Sequence, residues 1–130
     1  MAALNPGRVT DVSFSAGTIY HIHEVVRNVE MAGSSVKLLG LLRDHDPISM
    51  RATVVMDNDV ISIDTTLIQE DTILRENTLY HFIGELSVSP TNSIELQLRP
   101  RVVCDATGLD VNLWKKGLEV RRKHLASISM

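Results

Sequence analysis

Two glycines, Gly40 and Gly84, stand inside runs that otherwise read as apolar strands, Val36 to Arg43 and Leu79 to Val88. A glycine within a strand weakens it and marks a bulge or a sharp bend. Two such strands in one short chain point to a sheet that curves back on itself. Between them, Ile48, Met50, Ala52, Val54 and Met56 alternate with Ser49, Arg51, Thr53 and Val55, a period of two with one apolar face. Asp44-His45-Asp46-Pro47 reads as the turn before this strand and Asp57-Asn58-Asp59 as the turn after it. Val60 to Asp64 is a short strand, so the pair predicts a hairpin. Residues 65 to 78 are polar, with Leu67, Ile68, Ile73 and Leu74 spaced for a helical turn or two. Ser89-Pro90-Thr91-Asn92-Ser93 is a turn, and Ile94, Leu96 and Leu98 alternate with Glu95 and Gln97 in a fifth strand. Pro100 cannot donate to a ladder and is expected to end or kink it.

Three strands, a short helical connection and two more strands is the order of an OB-fold, an all-β five-stranded Greek-key barrel, here with a C-terminal helix. An open five-stranded meander with one helix is the alternative. Closure is favoured because strands this apolar must hide their edges. A chain of 130 residues is one domain by length. It divides into a lead-in (1–33) that covers the barrel, the barrel itself (34–105) and a helix (109–126). The lead-in reads two ways: Ile19, Ile22, Val25, Val26 and Val29 suit a helix, while residues 18 to 25 are also tolerable as a strand.

The helix carries two apolar arcs when its residues are set at about 100° each. Leu109, Leu113, Gly117, Val120 and His124 form one, and Val111, Trp114, Leu118 and Leu125 form the other. Asn112, Lys115, Lys116, Glu119, Arg122 and Lys123 share the remaining side. A helix lying on its own domain needs a stripe of roughly 100°, and this one has nearly twice that. Deep packing within its own domain would account for both arcs. The better account is that one arc covers the barrel and the other meets a partner. Gly117 agrees, since a mid-helix glycine costs about 1 kcal/mol and close approach of a neighbouring backbone is a common compensation.

The formal net charge of −3 conceals a polarised distribution. Residues 44 to 76 hold eight carboxylates against Arg51 and Arg75, whereas residues 99 to 130 hold seven lysines and arginines against Asp105, Asp110 and Glu119. A dedicated nucleic-acid binder would be basic overall. Aromatic residues make up only 4% of the chain, and single-strand binders stack bases on aromatics for about 1–3 kcal/mol each. Arg43, Arg51, Arg99 and Tyr80 are the candidates for nucleic-acid contact, although Tyr80 and Phe82, on one strand face, also suit a core. His21 and His23 have the spacing of a strand metal pair, but no cysteine or carboxylate set completes a site. Asp57-Asn58-Asp59 opens like a calcium loop, yet glycine is missing at its sixth position and Ile68 stands at its twelfth. No phosphate loop or nucleophile motif is found, so no enzyme, cofactor or metal is expected. Cys104 alone excludes an internal disulfide framework, and no apolar run reaches the roughly 18 residues of a membrane span. With no basic and apolar leader at its start, the chain is expected to be soluble and intracellular.

Leu79 to Leu86, Val36 to Leu42 around Gly40, and Gly108 to Leu113 running on to Arg121-Arg122-Lys123-His124-Leu125 together resemble the Ten-one family. Members of that family are the smallest subunit of the CST (Ctc-one, Stn-one, Ten-one) telomere-capping complex. The resemblance covers roughly residues 34 to 125. It implies an OB-fold that pairs with the larger OB-fold subunit Stn-one, with the C-terminal helix and a barrel face as the heterodimer surface. Carried over to this chain, that surface is Leu109, Leu113, Gly117, Val120 and His124, with Lys37 from the first strand. The resemblance also implies a Ctc-one-like large subunit, single-stranded telomeric DNA held through the complex, DNA polymerase alpha-primase as a further partner, and a nuclear, telomeric location. A small subunit of a replication protein A-type complex and an autonomous single-strand-binding module are the rival readings.

Overall fold

The computed structural model describes residues 18–128. β1 (Thr18–Tyr20) leads into a short helix α1 (Ile22–Val25) and a 3₁₀ turn (Val29–Met31). β2 (Ser35–Asp46), β3 (Arg51–Met56) and β4 (Asp59–Asp64) follow as an antiparallel meander. β5 (Thr78–Val88) returns along β2, β6 (Leu96–Asp105) lies beside β5, and helix α2 (Val111–Ile128) ends the chain. A short parallel pairing, Ser62 with Gln97 and Ile63 with Leu98, joins β4 to β6 and closes the barrel.

Period-two alternation puts one face of each strand inside. Leu38, Leu42, Val54, Ile61, Phe82 and Leu98 are each at most 1% exposed, and burying one such side chain stabilises by roughly 1.5–3 kcal/mol. α1 adds Ile22 and Val25 to the same core. The two readings of that segment are both realised in sequence, strand through Tyr20 and helix from Ile22. Residues 1–17 of the lead-in lie outside the described residues.

Both strand glycines stand where another strand leaves no room for a side chain. A Cβ on Gly40 would collide with the Val54 side chain. A Cβ on Gly84 would collide with the backbone of Arg99 and Pro100, where the β5–β6 register slips between Ile83 and Gly84. That slip also lets β6 continue through Pro100 to Asp105 rather than end there.

Three other expectations are corrected. β2 runs through Asp44, His45 and Asp46, and the turn falls at residues 47–50, with Met50 at φ 57°. Ile48 and Met50 are therefore off the inward strand face, and Ile48 is 94% exposed. Residues 65–77 form isolated turns, Ile68 N–H to Thr65 O and Thr72 N–H to Gln69 O, instead of a helix. Of their apolar residues only Leu74 packs on the core, while Leu67 and Ile73 stay exposed. The C-terminal helix starts two residues later than the spacing predicts and runs to Ile128.

Opposite outcomes are expected from two glycine substitutions in urea unfolding. Gly84→Ala should lower stability by about 2–3 kcal/mol, because backbone rather than a movable side chain blocks the new methyl. Gly117→Ala, in open space on α2, should raise it by about 1 kcal/mol. Equal effects would refute the packing assignment.

Candidate partner interface

α2 is launched by a turn at Gly108 (φ 88°) and capped by Asp110, whose Oδ1 accepts the Leu113 N–H at 3.1 Å. Its inner face is Val111, Trp114, Leu118 and Arg122, of which Leu118 is buried and the rest half-buried. Trp114 meets the edge of His21 at 5.7 Å between ring centroids and lies 6.4 Å from His81. His21 in turn stacks on His23, 5.3 Å away and nearly parallel. Leu39 is buried although it is paired with His81 on the outer wall and lies outside the main core cluster. The helix thus rests on a small second core outside the barrel.

The far end of the helix is held by charge. Arg122 donates to both Glu24 carboxylate oxygens at 2.9 and 3.0 Å and to the Ile19 carbonyl at 2.8 Å, and sits 5.9 Å from the Tyr20 ring centroid. A fork-to-carboxylate pair of this kind is geometrically specific as well as charge-assisted. Burial alone would raise the Glu24 pKa. The hydrogen bonds from Arg122 and from the His21 N–H hold it below the ordinary carboxylate value. The same Glu24 closes the first turn of α1 as a capping box with His21. One carboxylate therefore fixes both helices to each other. Lys115 adds an ion pair with Asp57 in the β3–β4 turn.

The outer face is bare. Leu113 and Val120 are 66% and 64% exposed, Leu109 is 37% exposed, and His124 is exposed. Beyond its own helix backbone, no described residue lies within 4 Å of a Cβ built on Gly117. The two arcs of the helix thus differ: Trp114 and Leu118 face the barrel and Val111 is half-buried, while Leu113, Gly117, Val120 and His124 are exposed and Leu109 lies at the edge. Leu125 departs from its arc and is 54% exposed. Lys37 sits half-buried on the barrel wall, paired with Ile83, and its charge reaches His81. Ile83 pairs in turn with the exposed Val102, so an apolar row flanks Lys37 on the outer wall.

Of the four nucleic-acid candidates the structure brings only Arg51 and Arg99 together. Tyr80 is 5% exposed, its ring packed edge-on to Phe82 and its hydroxyl accepting the Arg75 N–H at 2.9 Å. It fills the core and offers no face to a base, which corrects its place among those candidates. Arg51 donates to Gln97 at 2.9 Å and Arg99 to Asp64 at 3.0 Å, side by side where β3, β4 and β6 meet. Arg43, exposed on β2, has Asp44 at 3.7 Å. Among the described residues no group of three metal-binding side chains assembles around His21 and His23, and His23 instead has Asp59 at 3.5 Å.

Sequence reasoning missed Arg122, Glu24, His81, Ile83 and Val102. Arg122 falls on the polar side of the wheel, and its partner is 98 residues away. Ile83 carries the one legible signal, a strand residue out of phase with the buried Tyr80 and Phe82; Val102 is in phase with Leu96 and Leu98 and turns outward only because the β5–β6 register slips.

A family model described as "Telomere-capping, CST complex subunit" matches residues 13–128. The Arabidopsis thaliana protein "CST complex subunit TEN1" is 29% identical over 93 residues, 72% of each chain. The chain is also similar to the solved S. pombe Stn1–Ten1 complex and to S. pombe Ten1 alone. Each match has a TM-score of 0.68 and 11% identity, covering 82% of this chain and 92% and 98% of those chains. These likenesses establish the OB-fold.

The docking surface carries a pH dependence of defined sign. His21 is held below its ordinary pKa by burial first, with Glu24 opposing and Arg122, His23 and Lys115 reinforcing; His81 is lowered by burial and Lys37. A depressed histidine pKa gives stability that is complete above the ordinary value of 6.5 and is lost as pH falls through it. Glu24 acts in the same direction only below its own ordinary value of 4.5. Trp114 fluorescence should therefore report loosening of α2 below about pH 6.5, ahead of any change in strand circular dichroism. His81→Leu should flatten the response. A tryptophan signal constant until the barrel unfolds would refute it.

Proposed function

The chain belongs to the telomere-capping family of CST complex subunits, and on that ground we propose that it is the small, non-catalytic OB-fold subunit of such a complex, working by pairing with a larger OB-fold protein of the Stn-one type. The observation that carries this reading is the outer stripe of α2. A helix already docked by Trp114, Leu118 and Arg122 has no use for a second apolar face in its own domain. Exposed apolar surface of this kind, bordered by charge, marks an interaction site. The S. pombe neighbour is a complex of Stn1 with Ten1, and a partner of that type fits the stripe of Leu109, Leu113, Gly117, Val120 and His124. Lys37, Ile83 and Val102 extend the surface onto the barrel wall.

Single-stranded telomeric DNA is engaged through the assembled complex, with a Ctc-one-like large subunit and DNA polymerase alpha-primase as further partners and the telomeric region of the nucleus as the place. The free subunit contributes little to DNA affinity. Arg51 and Arg99 already have internal partners, and Tyr80 is buried. Binding of DNA by the lone chain should accordingly be weak and strongly salt-dependent.

The test is co-purification of the full chain with its Stn-one-like subunit. Leu113→Glu or Val120→Glu should weaken pairing at least 100-fold, about 3 kcal/mol, the scale of an interface hot spot. Because both residues are exposed, the unfolding free energy of the lone chain should shift by no more than about 0.5 kcal/mol. Undiminished pairing by both variants would overturn the proposed surface. Submicromolar binding of a single-stranded oligonucleotide by the lone chain would favour the autonomous module instead.

A further inference from the structure

The stripe on α2 is complementary to itself. About the midpoint between Lys116 and Gly117, Leu113 is related to Val120, so an antiparallel second copy sets these exposed apolar residues of the helix against each other, with Leu109 in the turn just before it. Asp110 stands at one end and Arg121 at the other, on the same flank, about 16 Å apart along the axis. Neither has an ion-pair partner among the described residues. Antiparallel pairing sets Asp110 of one copy beside Arg121 of the other, twice over. Parallel pairing would instead set Arg121 beside Arg121 and Asp110 beside Asp110. Gly117 lies almost on the two-fold axis, across from Lys116 of the other copy, where a small residue lets two helix backbones approach, and beyond its own helix backbone no described residue comes within 4 Å of a Cβ built there.

We infer that in the absence of its OB-fold partner the free chain forms an antiparallel homodimer through α2, so that self-association and heterodimer formation compete for one surface. The inference rests on the partner reading above only for that competition; the self-complementarity stands on the helix itself. A stripe of four or five residues buries less than a standard interface, so the dimer is weak and yields to a partner that also covers Lys37, Ile83 and Val102. The free subunit thereby hides an aggregation-prone face while remaining available for assembly.

Sedimentation equilibrium of the full chain from about 1 to 300 µM should show a monomer at the low end and a dimer at the high end, a range suited to a weak contact. Arg121→Glu should weaken the dimer about tenfold, since it faces Asp110, and Leu113→Glu should abolish it. In a Cys104→Ser background, Gly117→Cys should give a covalent dimer on mild oxidation and Asn112→Cys, on the polar side, should not. A chain that stays monomeric throughout, or equal cross-linking at both positions, overturns the inference. If the wild type is monomeric while Leu113→Glu still breaks heterodimer pairing, self-association falls and the subunit reading stands. If Leu113→Glu dissolves the homodimer and leaves heterodimer pairing intact, the reading falls and the homodimer stands.

Discussion

β2 pairs along both of its edges, and the barrel depends on that. Its first eight residues bond to β5 from Ser35–Glu85 to Leu42–Thr78, while the opposite edge takes β1 at Val36–Leu38 and β3 from Leu41 onward. One strand thus serves two sheets, which requires it to bend, and the bend is where Gly40 and the register shift between Leu42 and Asp44 lie. Because β1 occupies the edge that β3 does not reach, the barrel wall continues beside α1 and presents the Ile19 carbonyl to Arg122. Closure and helix docking are consequences of the same strand.

Much of this was legible because barrel burial is one-sided. A strand with one face in and one face out writes its period of two into the sequence, as β3 does with Ala52 and Val54. Legibility fails where a turn or a distant partner decides. Ile48 has the right spacing for the β3 face, but pairing of Asp46 with Arg51 leaves it in a four-residue turn. Pro100 signals termination locally, yet the bulge opposite Gly84 accommodates it. The apolar pairs at Leu67–Ile68 and Ile73–Leu74 look helical, but the connection is needed only to carry the chain from Asp64 to Thr78 and to place Leu74 on the core.

The helix shows the same division. Its two apolar arcs were readable from spacing, and the structure places the arc of Trp114 and Leu118 inward. The polar side of the wheel was misjudged at Arg122, since a residue with a solvated position locally becomes a clamp once Glu24 is brought beside it. Pattern reports what a helix can bury; it does not report which of its charges has a fixed partner.

That clamp also bears on how the outer stripe works. Among the described residues α2 is fastened by one buried leucine, one tryptophan between histidines, the bidentate Arg122–Glu24 pair and the Lys115–Asp57 pair. Directional contacts of this kind fix the rotation of the helix about its axis, which diffuse apolar contact leaves looser. On the proposed pairing, a stripe fixed in rotation costs less ordering entropy when the partner arrives. His21 and His81 stand beside Trp114 with lowered pKa values, so on the proposed pairing their protonation would alter how the inner face of the helix presents the outer one.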